Sequence, residues 1–186
     1  MSESLIQNFN HIKIHSQYSI CEGALKIDDL QSFSKSNKIK SLGLCDTTNL
    51  CGALEFSEKI SKIGTQPIIG TQINFKYSDT IGLLPLFALN DSGYKRIIKL
   101  SSLSYLENDE LSDPHLMFDE LLKDNEGVGI FSGTVLGLFG QLFDKGKFSE
   151  ILELYKKLKF SFGDRFYLEI QRHNDQNEKG FEKFNL

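Results

Sequence analysis

Polar and apolar side chains alternate in the first part of the chain. His11, Lys13 and His15 occupy every second position after Phe9, and isoleucines fill the positions between them. In an extended strand such alternation places the two sets of side chains on opposite faces. The pattern predicts a first strand over residues 9–14 that presents polar side chains on one face and at its end.

Apolar runs and helical spacings then follow one another along the chain. Apolar residues at helical spacing predict helices over residues 27–36, 50–63, 94–106, 116–123, 136–143 and 147–158, with a further helix beginning at Glu178. Short apolar runs predict strands over residues 41–45, 68–75, 83–89, 127–132 and 165–171. A polar connection is expected over residues 106–114. This alternation indicates a largely parallel α/β sheet or barrel.

The length favours one domain over residues 1–186, since 186 residues can bury a sizeable core and 40% of them are hydrophobic. A closed α/β barrel needs further strands after the last one that the pattern predicts. Here a helical pattern follows residue 171 instead. We therefore expect an α/β barrel that is incomplete at its C-terminal end.

Charge and cysteine content narrow the classes of function. The net charge is −4 and the pI is about 5.6, which argues against an autonomous DNA-binding protein, because such a protein needs a basic face. No apolar run is long enough for a membrane span, and the first residues lack the features of a signal peptide. The three cysteines form no CxxC pair, which favours buried thiols in a reducing cytoplasm.

The residues alone leave two interpretations of the first strand. Neutral histidine is a common zinc ligand, so the polar face could hold a metal ion. Solvated side chains on a half-buried strand would show the same spacing, and spacing alone favours this second interpretation. Cys45 and Cys51 flank Asp46 and Asn49, but no base is visible beside them, so core packing is favoured over a thiol nucleophile.

Five segments in order carry a resemblance to a known family. Between Phe9 and His173 they are HIKIHSQYSICEGALKI, LGLCDTTNLCGALEF, QPIIGTQINF, LFALNDSGYKRIIKLSS and FGDRFYLEIQRH. Together they resemble the PHP (polymerase and histidinol phosphatase) domain, and more narrowly the PHP domain at the N-terminus of the alpha subunits of bacterial DNA polymerase III, which are replicative C-family polymerases. The resemblance implies a distorted seven-stranded α/β barrel.

Metal-bearing members of this family hold up to three ions at the strand ends, bound by histidines and carboxylates. The resemblance places the corresponding positions at Lys13, His15, Glu22, Asp46, Thr47, Gln72 and His173, and places a further family histidine at Leu83. The family's late Asp-x-His motif has no counterpart. A lysine has no acceptor to offer a metal ion, so we expect it to replace the metal charge and to pair with Glu22 or Asp46.

The resemblance therefore implies a vestigial site with no catalytic residue and no metal cluster; His15, Glu22, Asp46 and His173 are the residues that would hold any metal. It implies a scaffold that supports the rest of the polymerase chain and docks the proofreading exonuclease subunit in the bacterial cytoplasm, with DNA bound only through the full-length polymerase. The acidic residues of a polymerase palm, which hold Mg²⁺, lie outside this stretch. The alternative is a metal-dependent phosphoesterase or 3′–5′ exonuclease that uses Zn²⁺ or Mn²⁺.

Overall fold

The computed structural model describes residues 9–108, 112–173 and 176–186. The strands are β1 (Ser41–Thr47), β2 (Gln66–Tyr77), β3 (Thr80–Ala88), β4 (Leu116–Met117), β5 (Val128–Phe131) and β6 (Phe166–Tyr167). The helices are α1 (Ile27–Ser36), α2 (Ala53–Lys62), α3 (Asp91–Leu106), α4 (Phe118–Leu122), α5 (Leu138–Asp144), α6 (Phe148–Phe162) and α7 (Gln176–Asn185). No helix within these ranges is long and apolar enough to cross a membrane.

The strands form a 6-stranded sheet in the order β1–β2–β3–β5–β6, with β4 paired to β2. β1 and β2 are parallel, β3 is antiparallel to both β2 and β5, and β5 is parallel to β6. All described strands except β3 therefore point the same way, which confirms the predicted α/β class and its largely parallel sheet. β1 and β6 lie at opposite ends of this order, and the sheet is open between them in the described residues.

The segment predicted as the first strand runs beside β1 without forming a regular ladder, so that prediction was wrong in part. Gly43 N donates to His11 O at 2.7 Å, and Cys45 N donates to Ile14 O at 2.8 Å. Between these two hydrogen bonds β1 advances by two residues and the segment advances by three. One extra residue on one side of a strand pair is a β-bulge. A Cβ at Gly43 would lie 2.0 Å from the Ile12 carbonyl oxygen, so this close approach requires glycine.

Most helix predictions are confirmed, with shifts at their ends that local hydrogen bonds explain. α1 has the predicted bounds. α3 begins three residues before the prediction because the Asn90 side chain accepts from Gly93 N at 2.9 Å and caps the helix. Leu116–Met117 pair with β2 instead of starting a helix. The predicted loop after α3 includes residues 109–111, which lie outside the described residues.

The core consists of two apolar clusters. The larger one packs β2, β3 and β5 against α3, α5 and α6, with Phe75, Phe118 and Phe139 fully buried. The smaller one packs α1 and α2 against β1 around Leu44 and Phe56. Burial of this apolar surface is the main force that fixes the strand ends where the polar residues lie.

Candidate functional site

A pocket of about 300 Å³ lies near the C-terminal end of β1. Its wall includes residues of the first segment, of β2 and β3, and of the loop before α5: Lys13, His15, Glu22, Gln72, Leu83, Gly133, Thr134, Leu136, Gly137 and Gln171. The register of the sheet sets Thr47 opposite Gln72 at this end. Five of the positions that the family resemblance singles out, Leu83 among them, therefore line one pocket.

Lys13 forms an ion pair that the sequence analysis did not predict. Its Nζ lies 3.0 Å from Glu169 Oε1 and 3.3 Å from Oε2, and the two side chains are 15% and 11% exposed. Gln171 Nε2 also donates to Glu169 Oε1, at 3.1 Å. The expectation that Lys13 pairs with Glu22 or Asp46 was wrong, because the carboxylate that lies against its ammonium group comes from the chain just after β6.

Asp46 is buried and accepts three hydrogen bonds from the loop after the first segment. Its Oδ1 accepts from Ser16 N at 2.6 Å and from Ser19 Oγ at 2.7 Å, and its Oδ2 accepts from Ser16 Oγ at 2.8 Å. Hydrogen bonds from three donors offset the cost of burying this polar group. Asp46 therefore fastens this loop to the end of β1.

A second set of hydrogen bonds joins Thr47 to Glu22 and Gln72. Thr47 Oγ1 donates to Glu22 Oε2 and accepts from Gln72 Nε2 at 2.8 Å. The His15 ring lies nearby, with its Nδ1 4.0 Å from Glu22 Oε2. Burial and the Lys13 charge lower the pKa of His15, which keeps the imidazole neutral at neutral pH.

His173 is the one predicted site residue that does not join this neighbourhood. Its ring is 72% exposed, and its Nδ1 lies 3.0 Å from Glu178 Oε1 at the start of α7. Its backbone N donates to Glu178 Oε2 at 2.6 Å. The chain turns toward α7 after β6, so a histidine that matches a family motif contacts a helix instead of lining the pocket.

The residues of the pocket do not fit the metal cluster of the family. A cationic ammonium group lies among the ligand positions, and a threonine, an amide and Leu83 hold positions where the family has stronger ligands. Across residues 9–108, 112–173 and 176–186, no three His, Cys, Asp or Glu side chains come close enough together to hold a metal ion. The polar groups instead bind one another, so the arrangement connects the first segment, β1, β2 and the chain after β6.

The three thiols should differ sharply in reactivity. Cys45 is fully buried in β1, and burial raises its pKa well above the ordinary value, whereas Cys21 and Cys51 are exposed. Titration of the native protein with Ellman's reagent should therefore label Cys21 and Cys51 rapidly and Cys45 only after denaturation. Rapid labelling of Cys45 in the native protein, located by peptide mapping, would contradict its placement in the core.

Comparison with known proteins identifies the family of this chain. The PHP domain model matches residues 11–173. The DNA polymerase III subunit alpha of Caulobacter vibrioides is 36% identical over 186 residues, which cover 93% of this chain and 16% of that protein. The subunits of Rickettsia felis and Borreliella burgdorferi are each 35% identical and match 94% of this chain, over 14% and 16% of their own lengths. The chain thus spans about a sixth of the length of these relatives, and it belongs to the PHP domain family.

Proposed function

We propose that this chain is the N-terminal PHP portion of a bacterial DNA polymerase III alpha subunit. In the proposed role the domain is a metal-free scaffold that supports the polymerase body and docks the proofreading exonuclease subunit. The whole polymerase would extend DNA in the cytoplasm with Mg²⁺ held in its palm, and DNA would reach this domain only as part of that larger protein. The similarity to polymerase alpha subunits over 93–94% of this chain supports the proposal.

The Lys13–Glu169 ion pair is the observation that carries the scaffold role. A lysine ammonium at a former ligand position repels metal cations and supplies the positive charge that pairs with the Glu169 carboxylate. Its partner comes from 156 residues later in the sequence, so the pair connects two distant parts of the fold. A site that uses its polar groups in this way contributes to structure and no longer generates a nucleophilic hydroxide.

The alternative function is that of a metal-dependent phosphoesterase or 3′–5′ exonuclease with Zn²⁺ or Mn²⁺. His15 and Glu22 still face the pocket, and the Asp46 carboxylate interacts electrostatically with His15, which favours this candidate. Phosphoester hydrolysis needs a bound metal to polarise the phosphate and to activate water. Too few ligands remain to bind such a metal, because the ligand positions are occupied by Lys13, Thr47 and Gln72. The scaffold role is therefore the better supported of the two.

The scaffold role predicts that a damaged PHP core weakens the association between the polymerase alpha subunit and the exonuclease subunit. The substitution Phe75→Ala, at a fully buried position, should destabilise the domain by about 3–5 kcal/mol. In the alpha subunit that carries this chain, the variant should retain less than about a third of the exonuclease subunit in an affinity pull-down, since such a loss of folding free energy depletes the folded domain.

The matched control is Phe160→Ala, because the Phe160 side chain is 93% exposed. Its pull-down should equal that of the unmodified alpha subunit. Full exonuclease association together with an unchanged melting temperature for Phe75→Ala would remove the basis for the scaffold role.

A further inference from the structure

β6 and the residues that follow it form an uncovered edge of the sheet, residues 166–170, which we call the β6 edge. On one side Ser132 N donates to Tyr167 O at 2.9 Å, and Glu169 N donates to Ser132 Oγ at 2.9 Å. Successive residues of an extended chain direct their backbone groups to opposite sides, so Leu168 and Ile170 direct theirs away from β5. Among the described contacts, neither of these two residues has a backbone hydrogen bond. Such free backbone groups are a template for another strand.

The opposite edge of the sheet is covered, which makes the β6 edge distinct. β1 lies at the other end of the strand order, and its Gly43 and Cys45 donate to the bulged segment over residues 11–14. Proteins commonly protect a strand edge with a covering segment, a bulge, lysine or proline. The sequence FYLEIQ at residues 166–171 contains no lysine, proline or glycine, and its one charged residue, Glu169, is paired with Lys13. Nothing in this sequence therefore opposes strand pairing.

The side chains of the β6 edge are apolar and partly exposed. Tyr167 is 56% exposed and Leu168 is 45% exposed, so α7, which follows in the sequence, leaves both uncovered. Residues 166, 168 and 170 share one face of the extended chain. A short segment of high β-propensity with little net charge and no proline favours pairing with a second strand.

The charges that flank the β6 edge favour a second copy of this chain as its partner. Asp164 lies four positions before Leu168, and Arg172 lies four positions after it. Antiparallel pairing about a two-fold axis at Leu168 thus brings Asp164 of each copy near Arg172 of the other, whereas parallel pairing in register brings like charges together. Both side chains are exposed, so their present ion pairs with Lys159 and Glu182 contribute little and can be exchanged.

We propose that this chain forms a homodimer by antiparallel pairing of two β6 edges. The contact is self-complementary, because the same residues of both copies face each other across the axis. Leu168 faces its counterpart and Phe166 faces Ile170, and cross-strand pairs of these types stabilise a sheet. Two short strands bury less than about 1,200 Å² in total, which is typical of weak interfaces. We therefore expect a Kd of about 10–100 µM. The inference does not depend on the proposed role in a polymerase.

The test is sedimentation equilibrium of this chain over a series of concentrations. Leu168→Pro removes a backbone N–H that is free in the monomer, so it should weaken the dimer by about ten-fold or more. Its far-ultraviolet circular dichroism spectrum should match that of the unmodified chain. Phe160→Ala is the control, because it removes an exposed ring outside the β6 edge and should leave the Kd unchanged.

Charge reversal tests the register of the dimer. Asp164→Arg and Arg172→Asp each place like charges near one another at both ends of the paired strands. Each variant alone should therefore raise the Kd roughly five- to ten-fold. An equimolar mixture of the two variants should form a heterodimer with a Kd near that of the unmodified chain, since opposite charges then meet again at both ends.

A chain that stays monomeric up to about 0.5 mM would overturn the proposal and leave the β6 edge to a strand from a different polypeptide segment. A dimer that Leu168→Pro does not weaken would overturn it as well, because the contact would then lie on another surface. Failure of the two charge variants to associate on mixing would contradict the antiparallel register.

Discussion

Replacing Lys13 with methionine should lower the free energy of unfolding by about 2–4 kcal/mol, because it leaves Glu169 largely buried without its cation. Methionine retains most of the aliphatic stem of lysine, so the decrease in the free energy of unfolding measures the contribution of the ammonium group. Among the described contacts, the Glu169 carboxylate would keep the hydrogen bond from Gln171 Nε2, while its backbone N would still donate to Ser132 Oγ. Urea denaturation monitored by circular dichroism measures the effect.

The exposed pair Lys159–Asp164 provides the matched control. Its side chains are 62% and 103% exposed, so Lys159→Met should cost less than about 0.5 kcal/mol. The double variant Lys13→Met/Glu169→Gln should be more stable than the sum of the two single losses predicts, since it removes both charges together. A loss for Lys13→Met no greater than that for Lys159→Met would show that the ion pair does not support the fold.

Asp46→Ala should be the most damaging single substitution at the site, with a loss of about 3–5 kcal/mol. It removes the acceptor of three hydrogen bonds and leaves the buried Ser16 N without a partner. Because the loop after the first segment would then detach from β1, the protein should also melt at a lower temperature. Differential scanning calorimetry and urea denaturation give the two measurements.

Two milder substitutions, Ser19→Ala and Asp46→Asn, test the same prediction if the alanine variant does not fold. Ser19→Ala removes one donor to Asp46 and one acceptor for Thr47 N, and should cost about 1–2 kcal/mol. Asp46→Asn should cost an intermediate amount, because an amide can retain part of the network. Losses below about 0.5 kcal/mol for both variants would mean that Asp46 is not the anchor of the loop.

The architecture was accessible to sequence analysis because periodicity reports which face of an element is buried. It predicted the α/β class, the open sheet and the bounds of α1. The first strand was only partly correct, since a bulge against β1 changes the hydrogen bonds without changing the alternation of side chains. β6 is shorter than predicted for a similar reason: it pairs only with the short strand β5, and its sequence continues to alternate after the pairing ends.

The partner of Lys13 was harder to predict than the position of Lys13. The family pattern aligned the lysine with a ligand position, but its carboxylate lies 156 residues away in sequence. Alternation over residues 165–171 did place Glu169 and Gln171 on one polar face, which was the available signal. For His173 the family pattern predicted the position in the motif but not the environment of the ring. The ring contacts Glu178 on α7 and does not line the pocket.

The central claim is that internal ion pairing and hydrogen bonds replace the metal cluster at the strand ends. The most direct measurement is inductively coupled plasma mass spectrometry on this chain after incubation with Zn²⁺ and Mn²⁺ and dialysis to remove free ions. The account predicts less than about 0.1 equivalent of either metal, because the residues that remain cannot complete a coordination shell. One equivalent or more, lost from a His15→Ala variant, would contradict the account and support the metal-dependent phosphoesterase.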